Sequence, residues 1–487
     1  MTSSSNSAHS LRQQLTHIDA SSDALRAQLA ALACQRREIA AQLRRVRYSG
    51  ILSIPREVLG EIFMHCVHDE PIYIPLNPIP QNGEVAFALA SVCTEWRAVA
   101  LGLAPLWANL LLAPSVPESS VIRILQRSRG HTLNIQLVQG SVPAALIEES
   151  SRWASLSGHI EQFEEYPADF DSLQGRLSSL HTLELETGLA VEDLRTMAPI
   201  TAFVNAPALR RVTMVGLCPQ RLHIPWHQIT TLDCRGFFDL LGLYNTLRAT
   251  PNLQNLVVSV VPFDDNHARP ESLTLAHLHM LHIQNRASSN ADKTWTQELT
   301  APSLTHLRLE DCNADEDLSI SDFIGRSQCV LKSLHVANIS SVEAAKSFLR
   351  SLPTSLEELR MYGLSHRSAH DIAFDILSKK RSGVCMPSLR RLHLSMSDPS
   401  PVAPLWDFLD KVPRAPSPRR PQDLAEVRLY MGYDVRSFVA SRELGKLAAA
   451  GTSGCEFSIL DHWNRDLNIL SKTQQPPTGS LADPDEF

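Results

Sequence analysis

The stretch APSLTHLRLEDC, residues 301–312, places Leu304, Leu307 and Leu309 at offsets 0, +3 and +5. Positions +3 and +5 share one side of an extended chain, so the segment predicts a strand with one covered face. Pro302 stands just ahead of it. Such a proline pushes the preceding residue out of helical conformation and marks an end for whatever arrives there. The same apolar pattern returns as LHTLEL (from 180), LRRVTM (209), ITTLDC (229), LQNLVV (253), LHMLHI (278), LKSLHV (331), LEELRM (356), LRRLHL (389) and LAEVRL (424). Successive starts lie 20 to 35 residues apart, and the central ones 24 to 27.

No such unit buries its apolar face alone; stacking the units makes one continuous core. The central spacing is that of leucine-rich repeats. The expected fold is therefore α/β: a leucine-rich-repeat solenoid over residues 180–470, a curved parallel sheet with convex helices. Consensus repeats carry Asn or Cys at +8, and here only Cys312 does, so the Asn ladder is missing and the repeats should be irregular. Residues 113–179 read as transitional repeats, with LNIQLV (133–138) as a strand. VPRAPSPRRPQD (412–423) reads as a disordered insertion, and residues 1–10 and 471–487 as disordered ends. A doubly wound α/β enzyme is the rival reading. It requires a Gly-rich phosphate loop after an early strand, and none of the 20 glycines forms GxGxxG or GxxxxGK.

Ahead of the repeats, a four-three spacing runs through Leu11, Leu15, Ile18, Ser22, Leu25, Leu29, Leu32, Arg36, Ile39, Leu43 and Val46. Only Ser22 and Arg36 break it. The pattern predicts a coiled-coil helix over 11–48, with self-association through 11–46 or a helix folded back on its own chain as the two outcomes. Residues 11–48 hold seven Arg against Asp19, Asp23 and Glu38, a local +4 in a chain of net charge −7.

Between helix and repeats lies a third pattern. Ile54-Pro55 precedes Glu57-Val58-Leu59 and Ile62-Phe63, an apolar stripe on a helix that Pro55 starts. Val92-Cys93 and Trp96-Arg97 follow on a second helix, then Pro105-Leu106-Trp107. In this order the residues resemble the F-box, most closely that of the fungal F-box family, over residues 51–112. Ile54 stands where that family usually has Leu, and the loop at 70–83 is longer than in compact members.

The resemblance implies a Skp-type adaptor as partner and, through it, cullin. The chain would then be the substrate-recognition subunit of an SCF-type ubiquitin ligase, with no catalysis of its own. Carried onto this sequence, the adaptor-binding residues are Ile54, Pro55, Val58, Leu59, Ile62, Phe63, Val92, Cys93, Trp96, Leu106 and Trp107. Trp107 is expected to close the small core, with Phe63, Val92 and Cys93 nearer the adaptor. The alternative is a ligase-independent scaffold of coiled coil and repeats.

The target would meet the concave face, made of positions +2, +4 and +6. Position +4 carries Glu184, Thr213, Asp233 and Val257, then His282, Arg308, His335, Arg360, His393 and Arg428. Those last six form a candidate ladder for acidic or phosphorylated residues, since Arg grips phosphate bidentately. Glu310, Glu358 and Glu426 against Arg308, Arg360, Arg428 and Arg391 leave that face at only +1 with histidine neutral. The histidines are expected to charge as pH falls towards about 6.5.

The remaining patterns exclude more than they include. A net charge of −7 argues against general nucleic-acid binding. LGLAPLWANLLLAP (101–114) is too short to span a bilayer. MTSSSNSAHS has no apolar core of a secretory signal, and nine cysteines without a CxxC fit reduced thiols, so cytoplasm or nucleus is expected. His277 and His279 face away from His282, which spoils a shared metal site. No cofactor is implied. GxSxG and HExxH are absent, GTSG (451–454) reads as a loop, and Ser417 is an isolated Ser-Pro pair.

Overall fold

The computed structural model describes residues 3–47, 54–67, 71–74, 85–114, 116–138, 140–188, 198–217, 219–237, 240–261, 271–285, 296–310, 318–337, 349, 352–364, 386, 388–396, 426–431 and 456–461. The chain divides into two compact units: Met1–Pro71 with Gln81–Trp107, and Ile72–Pro80 with Ala108–Phe487.

The first unit is helical. Helix α1 spans Ser3–Arg47, α2 Arg56–Val67, α3 Val85–Val92 and α4 Thr94–Gly102, and a 3-10 turn at Ala104–Trp107 closes the unit. Helix α1 begins at Ser3, so most of the segment expected to be disordered belongs to the helix. Ser and Asn, weak inside helices, are readily accommodated at a helix start.

The second unit is a parallel sheet built in chain order. Its strands are β1 Ile72–Ile74, β2 Asn109–Leu112, β3 Leu133–Leu137, β4 Trp153–His159, β5 Thr182–Glu186, β6 Arg211–Val215, β7 Thr231–Phe237 and β8 Asn255–Val261. It continues through β10 Met280–Asn285, β12 His306–Glu310, β13 Ser333–Ala337, β14 Glu358–Leu364, β15 Arg391–Met396, β16 Glu426–Met431 and β17 Glu456–Asp461. These fifteen pair each with the next, and β9 Leu273–Thr274 pairs with β11 Leu299–Thr300 in a separate two-stranded sheet. The fold is mixed α/β with a long parallel sheet, consistent with a leucine-rich-repeat-like solenoid.

Returns between strands carry helices α5 Glu118–Ser128, α6 Ala144–Glu148, α7 Glu161–Glu165, α8 Pro167–Asp171, α9 Leu240–Ala249 and α10 Leu318–Ser327. The shortest repeat, 209 to 229, has no room for one. There the chain returns through 3-10 turns at Pro219–Arg221 and Trp226–Gln228.

The apolar offsets behave as one core. Leu180, Leu209, Ile229, Leu278, Leu304, Leu331, Leu356 and Leu389 at offset 0 are fully buried. The +3 and +5 residues, such as Leu307 with Leu309 and Leu334 with Val336, are buried beside them. From β6 to β15 the missing Asn ladder has a backbone substitute at the mouth of each strand of the long sheet. The His181 carbonyl accepts the amides of Arg210 and Arg211 at 2.9 and 3.0 Å, and the Arg210 carbonyl those of Thr230 and Thr231. The same fork recurs at Thr230, Gln254, His279, Thr305, Lys332 and Glu357, ending on Arg390 and Arg391. Each junction satisfies two amides with one carbonyl and needs no particular side chain.

Two expectations of organisation change. The Pro-rich segment at 70–83, read as a loop, contains strand β1, and β2 starts at Asn109, so the sheet takes residues on both sides of the expected 51–112 boundary. Ile72 and Ile74, two residues apart and both 2% exposed, share the covered side of the strand, a signal the flanking prolines concealed. Residues 113–179 are not transitional in register: Ile135 pairs Leu156, and Leu156 pairs Leu183, in line with the later repeats. The expected insertion at 412–423 and tail at 471–487 lie outside the described residues, as does GTSG at 451–454.

One position tests this geometry. Gly236 has φ +127°, and a Cβ there would meet the Gly216 backbone at 2.8 Å, beside the 2.6 Å bond from the Gly216 amide to the Arg235 carbonyl. Both strain and overlap oppose a side chain. Gly236→Ala should cost at least about 2 kcal/mol, seen as a lowered Tm by calorimetry. An unchanged Tm would contradict the close approach.

Candidate functional site: two interaction surfaces

The first surface belongs to the helical unit. Pro55 stands outside α2 and its carbonyl accepts the Leu59 amide at 2.9 Å, opening the helix where a proline costs nothing. Cys93 caps α4, its Sγ accepting the Trp96 amide at 3.4 Å. Arg97 Nε donates to the Ala90 carbonyl at 2.9 Å and pins the α3–α4 corner. Two edge-to-face aromatic pairs tie the helices together: Phe63 with Trp96 at 5.0 Å between centroids, and Phe87 with Trp107 at 5.2 Å. Such pairs add roughly 0.5–1.5 kcal/mol each beyond area burial. The buried Trp107 indole is satisfied, its Nε1 donating to the Ala100 carbonyl at 2.8 Å.

Burial sorts the eleven residues read from the sequence. Leu59, Phe63, Leu106 and Trp107 are buried within the unit. Phe63 in particular is not the surface residue it was expected to be, because Trp96 covers its ring. Ile54, Cys93 and Trp96 are half-exposed, and Pro55 is exposed. Val58, Ile62 and Val92 remain 49, 40 and 59% exposed. Val58 and Ile62, four residues apart, share one face of α2. Sequence reasoning passed over Arg56, whose Nε reaches Glu95 at 2.7 Å between α2 and α4. That pair is solvent-exposed, so it orients more than it stabilises.

The second surface is the polar face of the sheet. Strand register aligns His282 with Arg308, Arg308 with His335, His335 with Arg360, Arg360 with His393 and His393 with Arg428. The six residues thus form one row, and carboxylates on flanking rows bind them. Glu310 receives Arg308, approaches His282 Nε2 at 3.4 Å and accepts Gln284 Nε2 at 3.0 Å. Glu358, 6% exposed, accepts Arg360 Nε at 2.6 Å, Ser333 Oγ at 3.1 Å and Arg391 Nη2 at 3.3 Å. Glu426 pairs Arg428 and lies 3.6 Å from His393 Nε2. Gln284 and Ser333 were missed in the sequence. Gln284 is register partner to Glu310 and Ser333 to Glu358, a signal visible only once strands are aligned.

Burial by itself would raise the Glu310 and Glu358 carboxyls, but hydrogen bonds and charge from Arg308 and Arg360 outweigh it and hold both below the usual range. The histidines go the other way from expectation. Burial first, then the Arg360 cation, lowers His335 to about 4. Burial, then Arg360, lowers His393; burial, opposed by Glu310 and aided by Arg308, lowers His282. The row therefore does not gain charge near pH 6.5, because protonating these rings places a cation half out of water beside arginine. Among the described residues no group of three or more His, Cys, Asp and Glu could hold a metal, and no helix is long and apolar enough to cross a membrane.

A pH dependence follows with a fixed sign. The unfolded chain takes up a proton near 6.5 that folded His335 refuses until about 4. Stability is therefore flat above that window and falls as pH drops through it. Melting followed by circular dichroism should show a lower Tm at pH 5 than at pH 7, and His335→Gln should reduce that difference. An equal difference in both proteins would contradict the assignment.

No protein-family model matches the chain, and no curated protein matches it. Among solved structures it is similar to the leucine-rich repeat-containing protein LegL7 from Legionella pneumophila. The two are 15% identical, over 61% of this chain and 88% of that one, with a TM-score of 0.33. The repeats are defined by the strand register itself.

Proposed function

We propose that the chain is the substrate-recognition subunit of an SCF-type ubiquitin ligase and is not itself an enzyme. In this reading the helical unit docks to a Skp-type adaptor, and through it to cullin, while the sheet's polar face holds a target protein. Catalysis is then proximity: the receptor raises the target's effective concentration near the charged ubiquitin carrier. One observation carries the proposal. Val58, Ile62 and Val92 stay exposed on a small unit whose own core is already closed by Phe63, Trp96 and Trp107. Exposed aliphatic residues beside a complete core favour cover by another protein.

The target seat is read as the row His282, Arg308, His335, Arg360, His393 and Arg428. Each arginine already spends part of its donor fork on a glutamate, so an acidic or phosphorylated target would share these cations rather than find them empty. Localisation to cytoplasm or nucleus is part of the same proposal. A ligase-independent scaffold is the second reading, and the exposed aliphatic seam of α1 favours it, since adaptor docking makes no use of that seam.

The two readings part on adaptor capture. Val58→Asp with Ile62→Asp changes only exposed side chains, so folding should survive while capture of a purified Skp-type adaptor by the full chain drops at least about tenfold, a loss near 1.4 kcal/mol. Ile54→Ala with Pro55→Ala should weaken capture in the same direction. Wild-type protein that does not bind the adaptor, or variants that bind as well as wild type, would refute the ligase reading.

A further inference from the structure

Helix α1, about 68 Å long at 1.5 Å per residue over its 45 residues, carries its aliphatic seam in the open. Every seam aliphatic from Leu15 to Leu43 is 51 to 67% exposed. The seam repeats every 3.5 residues, the period that keeps one stripe facing a partner helix. We infer that α1 pairs with α1 of a second copy of this chain, and that the two helices run antiparallel.

The two polar seam positions decide direction. In a parallel, in-register pair each layer meets its own copy, so Ser22 faces Ser22 and Arg36 faces Arg36, two layers lose apolar contact, and one holds two like charges. Run antiparallel, Ile18 faces the partner's Leu43, Ser22 the partner's Ile39, Leu25 the partner's Arg36 and Leu29 the partner's Leu32. Every layer then holds at least one aliphatic residue, and each Arg36 lays its stem on a leucine and sends its head to water.

Charge along the helix agrees. Residues 14–29 carry Arg26 against Asp19 and Asp23, net −1, with Arg26 held by Asp23 at 3.0 Å. Residues 30–47 carry Arg36, Arg37, Arg44, Arg45 and Arg47 against Glu38, net +4. A parallel pair sets +4 beside +4; an antiparallel pair sets −1 beside +4 at both ends. A parallel register is usually selected by charge pairs between the two rows that flank the seam; here one row, Gln14, Ser21, Gln28, Gln35 and Gln42, is uncharged, so Asp19, Arg26 and Arg47 on the other row find no such partners in a parallel pair.

The test uses the full chain. Sedimentation equilibrium should give twice the 54.0 kDa of one chain, and Leu29→Lys with Leu32→Lys should halve that mass while melting of the sheet is unchanged. A monomeric wild type would overturn the pairing in favour of a seam folded onto its own chain, and a larger assembly would overturn it too. So would a Lys variant that remains dimeric. Direction is read by disulfide capture with Cys34→Ser as background. Chains carrying Ser22→Cys mixed with chains carrying Ile39→Cys should cross-link to each other on oxidation, and Ser22→Cys alone should not. Cross-linking of Ser22→Cys chains to themselves would establish a parallel pair and overturn the inference.

Discussion

Over the strands from β6 to β15 of the long sheet, one repeat hands the next a carbonyl oxygen, and that oxygen accepts two amides at the mouth of the following strand. From His181 to Glu357 this fork sets where every strand begins, and the offsets 0, +3 and +5 then have no choice but to fall into one core. A slip of one residue would turn each leucine to solvent and each arginine inward. Because the fork is made of backbone, it tolerates the varied side chains of these repeats, which a side-chain ladder would not. The intervening returns are free to be helices or 3-10 turns of different length.

The same register assembles the polar face. Arg308, Arg360 and Arg428 sit two residues from Glu310, Glu358 and Glu426 along their own strands, and each histidine is delivered by the neighbouring strand. The result is a row of cations already matched by carboxylates, with three rings kept neutral by burial. The helical unit is organised on the opposite principle, with a closed aromatic core and three aliphatic side chains left outside it.

Much of this was legible in the sequence because it depends on periodicity. Leu304, Leu307 and Leu309 announced the strand and its covered side, and the +4 row could be written down before any strand was paired. Other features depend on neighbours that periodicity does not name. Strand β1 was hidden because Ile72-Tyr73-Ile74 is short and lies between prolines. The F-box resemblance puts Phe63 nearer the adaptor, and its stripe on α2 is apolar all along, so only the Trp96 ring distinguishes the covered residue from the exposed Ile62. The histidine shifts are not legible in the sequence, because residue type sets the ordinary value while burial and the adjacent arginines lower it.

If a Skp-type adaptor docks as proposed, the helical unit alone meets it, and hydrogen–deuterium exchange on the full chain tests this most directly. With saturating adaptor, amides of 54–67 and 85–107 should gain protection while those of strands β5 to β15 exchange as before. Protection that is absent, or that falls on the strands instead, would contradict the account.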